Sequence, residues 1–201
     1  TLDGTLFPYT TLFRSYEWIA DPSDPLKEEF FASFAPLAGW MNLPRGAAGL
    51  QWIAMLPEGD EAMRLFEYEF TTGSGKSTQT HMHTLVGWSA AGTGVRASKL
   101  GYLAGFRAFH ARWGQRRIWR KTSLDVPDFD HALPKWVFTG DEETGRRFLN
   151  DDVKRELASS PRGEIWYIGG GWVCCLYENP LDEKNLLLFI EHARRVFSLA
   201  G

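Results

Sequence analysis

Four stretches of the chain hold side chains capable of chemistry. They are the glycine–lysine run "FTTGSGKST" (Phe70–Thr78) and the histidine pair of "THMH" (His81, His83), with Glu67 and Glu69 upstream. The others are the adjacent cysteines Cys174 and Cys175, and the arginine-rich "RAFHARWGQRRIWRK" (Arg107–Lys121). Each suggests a different activity: a phosphate cradle, a metal site, a thiol nucleophile and an anion-binding surface.

The first has the ending of a nucleotide-binding loop without its beginning. A phosphate-binding loop needs a glycine five positions before the one preceding lysine, so that backbone amides can wrap the phosphates. Phe70 stands there, and a bulky side chain denies the required turn. Such a loop must also lead into a helix whose N-terminus meets the anion, whereas "TQTHMHTL" alternates as a strand does. Gly73, Ser74 and Gly75 therefore read as a hairpin turn, and no nucleotide is expected.

On a strand His81 and His83 project from one face. Glu67 or Glu69 faces them across the hairpin if the register allows, and two imidazoles with a carboxylate can hold a metal with an open position. That would make a metal-dependent hydrolase; the plainer reading is a polar cross-strand ladder. Cys174 and Cys175 sit in "WVCCLY", where adjacent strand residues point to opposite faces and cannot readily bridge. No Gly-x-Ser-x-Gly elbow and no recognisable Ser–His or Cys–His spacing appears. No catalytic residue and no cofactor is expected.

The electrostatic signal is stronger. Phe70 to Leu124 contains no Asp or Glu but holds Lys76, Arg96, Lys99, Arg107, Arg112, Arg116, Arg117, Arg120 and Lys121. That leaves 13 of the 22 basic residues against all 25 acidic ones in the rest of the chain, so an overall charge of −3 hides a polarised sequence. Basic residues interleaved with aromatics suit anionic lipid headgroups. Single-stranded nucleic acid, with bases stacked along Arg107–Lys121, is the less favoured partner.

The elements that would position these groups follow from periodicity. With 201 residues, 44% hydrophobic and 23% charged, the chain can build a sizeable core. Leu26, Phe30 and Phe34 predict one helix face, and "LQWIAML" and "MRLFEYEF" read as strands. The β-rich half spans 16–93. Tyr102, Phe106, Phe109 and Trp113 recur at helical spacing and predict a basic aromatic linker helix over 94–117. In the last part, 118–201, "KWVFTG" is a strand and Asp141 caps a helix that "LNDD" can split. "EIWYIGGGWVCCLYE" is a hairpin, and Asn179–Pro180 opens a terminal helix with Leu186, Ile190, Ala193 and Phe197 inward. The fold class is α+β with largely antiparallel pairing: a β-hairpin block, a linker helix and a β-α-β-β-α unit.

Thr5–Ser15, "TLFPYTTLFRS", resembles the conceptual translation of a short-read sequencing adapter. On that reading residues 1–15 are not native, the true N-terminus is missing, and the segment carries no fold information.

The remainder, "DPSDPL…FEYEFTTGSGKSTQTHMHT…FDHALPKWVFTGDEE…GGGWVCCLYENPLDEKNLLLFIEHA", resembles the soluble portion of a group of bacterial membrane proteins of unassigned activity. Their hallmark is an aromatic–acidic–aromatic strand, a Thr-Thr-Gly-Ser-Gly-Lys turn and a Thr/His-rich return strand. The resemblance implies an N-terminal membrane anchor upstream, no established catalytic residues, and a domain on the cytoplasmic face with the basic segment near the bilayer. An anionic membrane surface or a protein partner is then the expected target.

Overall fold

A computed structural model describes residues 17–19, 25–41, 43, 49–56, 63–89, 103–107, 136–160, 164–178 and 180–200. Alternating apolar residues and glycine turns build one eight-stranded sheet. Its strands are β1 (Glu17–Ile19), β2 (Leu50–Leu56), β3 (Met63–Thr72), β4 (Gln79–Ser89), β5 (Leu103–Arg107), β6 (Trp136–Gly140), β7 (Glu164–Gly169) and β8 (Trp172–Tyr177). The order is β1-β2-β3-β4-β8-β7-β5-β6, antiparallel at every pair. The β4–β8 pair joins the β-rich half to the C-terminal half. The α+β class with antiparallel pairing is thus the observed architecture.

The expected linker helix is overturned at its centre, because Leu103–Arg107 is β5, paired with β6 on one side and β7 on the other. Aromatic spacing in this segment satisfies a helical period, but two waiting strand edges offer ladder hydrogen bonds that local periodicity cannot register. The rest of 94–117, with Tyr102, Phe109 and Trp113, lies outside the described residues.

Both sheet faces are covered. On one lies α1 (Pro25–Trp40), whose Phe31, Phe34, Leu37 and Ala38 pack on Ile53, Phe66, Leu85 and Cys174. The expected face Leu26–Phe30–Phe34 is rotated from the true one. Phe34 is fully buried, Phe30 is half-buried against Phe66 and Trp172, and Leu26 is 44% exposed. The inner stripe instead begins at Lys27, which is 1% exposed. Its Nζ donates to the carbonyls of Leu50 at 3.0 Å and Gln51 at 3.1 Å, where the β2–β3 register slips between Leu50 and Trp52. A bulge there disrupts the ladder, and the ammonium supplies donors to it.

On the other face lie α2 (Glu142–Phe148), α3 (Asp151–Ala158) and α4 (Glu183–Leu199). Asp141 caps α2 through the Thr144 amide. Asn150 accepts from the amides of Asp152 and Val153 and so starts α3 after the break that "LNDD" signals. α4 begins later than expected: its cap is Asp182, accepting from the Asn185 amide at 2.8 Å. Leu181 before the cap and Leu186 four residues after it are buried in the same core, the arrangement of a hydrophobic staple. Leu186, Ile190, Ala193 and Phe197 face inward as their spacing predicts. Cys174 and Cys175 are both fully buried, one in each core. Among the described residues no helix is long and apolar enough to cross a membrane.

Candidate functional site

The "FTTGSGKST" run is the tip of the β3–β4 hairpin. Gly73 and Gly75 have positive φ, Gly75–Ser77 makes a single 3-10 turn, and β4 starts at Gln79. The lysine therefore leads into a strand.

Register decides the histidine–glutamate reading. Tyr68 lies opposite His83 and Phe70 opposite His81, whereas Glu67 and Glu69 lie opposite Thr84 and Met82. Directly paired residues share a face and neighbours alternate, so the two imidazoles are on the α1 face and the two carboxylates on the reverse. The alternative in which His81, His83 and a glutamate converge, left open by the unknown register, does not match this one-residue parity. Among the described residues no three His, Cys, Asp or Glu side chains gather to hold a metal. Instead Phe70 stacks on the ring of His81 and lies tilted against that of His83, each with its centroid 5.0 Å away. Burial and the neighbouring His81 charge push His83 below its ordinary pKa, against the opposing pull of the Glu178 backbone.

Glu67 is 8% exposed on the reverse face and accepts a 2.8 Å hydrogen bond from Trp52 Nε1. Burial raises its pKa, and the indole N–H offsets only part of that. Among the basic residues, Arg107 ends β5 opposite Trp136. Arg96, Lys99, Arg112, Arg116, Arg117, Arg120 and Lys121 lie outside the described residues.

A polar cluster that no sequence spacing announced lies where α3, α4 and β7 meet. His192 is on the inner side of α4, 5% exposed. Its Nδ1 lies 2.9 Å from Glu156 Oε1 on α3. Its Nε2 lies 2.8 Å from Ser160 Oγ, just after α3, and 3.2 Å from Glu164 Oε1 at the start of β7. Ser160 Oγ also donates to Glu164 Oε1 at 3.3 Å. The indole of Trp166 donates to that oxygen too, and Arg195 Nε donates to Glu156 at 2.7 Å. Ser160 and His192 are 32 positions apart, and a histidine among leucines on a terminal helix resembles any other inner-face residue.

The distances from Ser160 through His192 to Glu156 are those of a serine nucleophile, its base and the base's orienting carboxylate. The nitrogen facing serine also lies 3.2 Å from Glu164 Oε1. A neutral ring protonated on Nδ1 donates to Glu156 and accepts from Ser160 Oγ, whereas the imidazolium donates from both nitrogens. Burial alone would lower the pKa of His192, but Glu164 and then Glu156 outweigh it and hold it above the ordinary value. Arg195 and His192 in turn keep Glu156 low despite its burial. Ser160 is 1% and Glu164 0% exposed.

An open groove of about 210 Å³ runs beside α1, walled by Phe30, Ile53, Met55 and Trp172, with Glu29 and Arg64 among its polar residues. It falls short of the roughly 300–1,000 Å³ usual for a small-molecule site.

No family model matches the chain, and no curated protein matches it either. Among solved structures it is similar to the crystal structure of the mycobacterial trehalose monomycolate transport factor A, TtfA. The TM-score is 0.54 at 10% identity, covering 98% of this chain and 93% of that one. At that identity the likeness is one of fold.

Proposed function

We propose that the chain is a non-enzymatic domain, tethered to the membrane and lying at its cytoplasmic face, that acts by binding and assembly. The observation that supports this reading is the burial of the cluster around His192, where Ser160 and Glu164 are 1% and 0% exposed and Glu164 shares Nε2 with the serine hydroxyl. Two features support the rest: the fold is similar to that of a transport factor, and the acid-free basic stretch from Lys76 to Lys121 has the composition of an anionic-surface contact.

Co-sedimentation with vesicles tests the surface contact. At low salt the protein should pellet with phosphatidylglycerol-containing vesicles and stay in solution with pure phosphatidylcholine, and the difference should shrink at high salt. Equal behaviour toward the two compositions would sink that contact. A fluorophosphonate probe tests the absence of serine chemistry: Ser160 should remain unlabelled in the folded protein, and stoichiometric labelling would overturn the non-enzymatic reading.

A further inference from the structure

The β3–β4 hairpin runs past the strands on either side of it. β2 leaves β3 at Tyr68, opposite Leu50, and β8 leaves β4 at Thr84, opposite Tyr177. Beyond them the pairs Glu69–Met82, Phe70–His81, Thr71–Thr80 and Thr72–Gln79 continue as a two-stranded arm, tipped by the 3-10 turn that holds Lys76. The Glu178 backbone still reaches His83, so among the described residues the outer edge of β4 is free from Met82 toward the tip. Thr78 has extended backbone, φ −67° and ψ 128°, which prolongs that edge to the turn.

An unpaired strand edge is a template for another strand, and proteins blunt it with charge, proline, a bulge or a covering element. Thr78, Gln79, Thr80, His81 and Met82 include no Lys, Asp, Glu or Pro, and the β3–β4 register runs without a shift to its last pair. Thr78, Gln79 and Thr80 are exposed, with His81 and Met82 half-buried. A ribbon of two strands is marginal on its own. Further strands on this edge add ladder hydrogen bonds without displacing any among the described residues.

We infer that the arm pairs with the arm of a second copy of this chain, β4 edge to β4 edge, in a two-fold dimer. A two-fold axis normal to the sheet makes the strands antiparallel and keeps each side chain on its own face, so one residue must lie opposite itself. Thr80 is that residue. Centring there sets Gln79 against the partner's His81 and Thr78 against the partner's Met82, which fills the free edge and stops short of β8. Centring on His81 would instead push Gln79 into the place at His83 that the Glu178 backbone holds. With Thr80 on the axis, each tip lies beside the end of the other copy's β8, and Lys76 meets the partner's Glu178. Both side chains are exposed, and neither makes an ion pair among the described residues. That charge match favours a second copy over an unrelated strand. The pairing gives the assembly reading a surface and does not require the lipid contact.

Sedimentation equilibrium of the full chain should show a reversible monomer–dimer equilibrium. Opposed residues of an antiparallel pair have Cα atoms about 4.5–5.5 Å apart, within disulfide reach. Thr80→Cys should therefore link two copies under mild oxidation. Thr71→Cys, at the same level on the other strand of the arm, should not, nor should the wild type, whose Cys174 and Cys175 are fully buried. Lys76→Glu or Glu178→Lys should each raise the dimer dissociation constant roughly tenfold, because two symmetry-related pairs turn repulsive, and the two together should restore it. A chain that is monomeric at every concentration overturns the pairing. So does a Thr71→Cys link as efficient as that of Thr80→Cys, or a dimer indifferent to both charge reversals. Vesicle binding is read separately, so the lipid contact and this dimer can fail independently.

Discussion

Trp52 Nε1 and Glu67 Oε2 meet 2.8 Å apart across the β2–β3 ladder, on the sheet face covered by α2, α3 and α4. The contact gives the buried carboxylate a donor beside the apolar core. It also makes Glu67 a pH-dependent cost. Burial raises its pKa above 4.5, so the folded state binds the proton more tightly than the unfolded one. Stability then falls as pH rises from the ordinary carboxylate value to the folded one, and is flat above it. Glu67→Gln keeps an acceptor for Trp52 without the charge. Its melting temperature should gain on the wild type progressively between pH 4 and 7. Parallel melting curves over that range would refute the assignment.

Lys27 makes a second buried polar tie, from α1 to the irregular start of β2. Lys27→Met retains most of the side-chain volume and removes the donors to the Leu50 and Gln51 carbonyls. A charge-assisted hydrogen bond contributes about 1.5–3 kcal/mol, and a loss of that order should appear in urea unfolding with an unchanged m-value.

What was legible in the sequence was local. Asp141 and the Asn150 break announce their helices through capping chemistry, and the inner face of α4 follows from the 3.6-residue period. The β3–β4 hairpin follows from alternation around glycines. The misreadings concern information held elsewhere in the chain. Leu103–Arg107 is a strand because the edges of β6 and β7 lie on either side of it, and neither edge is visible from residues 103–107. The His81–Glu67 alternative turned on a register that the turn residues do not reveal, since a shift of one residue exchanges the faces of a strand. The start of α4 was misplaced because Asn179–Pro180 and Asp182 both carry start signals, and the apolar pair Leu181–Leu186 favours the second. The His192 cluster needed three elements folded together before any of its distances existed.

Asn150 links the capping of α3 to the end of α4. Its Oδ1 accepts from two amides of α3, and its Nδ2 donates to the Leu199 carbonyl at 2.6 Å. Asn150→Ala removes all of these, and loss of an N-cap costs about 0.5–2 kcal/mol. The value should fall at the upper end, with amide protection lost first at Asp152 and Val153. Asn150→Asp retains the acceptor but not the donor, so it should recover the amide protection without the tie to Leu199.

The two turn glycines of the β3–β4 hairpin separate steric from conformational cost. Both have positive φ, +88° at Gly73 and +61° at Gly75, where a Cβ costs about 1–2 kcal/mol. At Gly75 an added Cβ meets nothing within 4 Å, but at Gly73 it would lie 2.3 Å from the carbonyl oxygen of Ser77. That atom belongs to the 3-10 turn itself and cannot swing away as a side chain could. Gly75→Ala should therefore cost about 1 kcal/mol and leave the hairpin register unchanged. Gly73→Ala should cost more, about 2–3 kcal/mol, and displace the turn. Thermal melts compare the two. Cross-strand contacts between Thr72 and Gln79, which are paired at the end of the ladder, report whether the tip has moved. Equal costs for the two substitutions would mean that the Ser77 carbonyl yields, and that φ alone governs this turn.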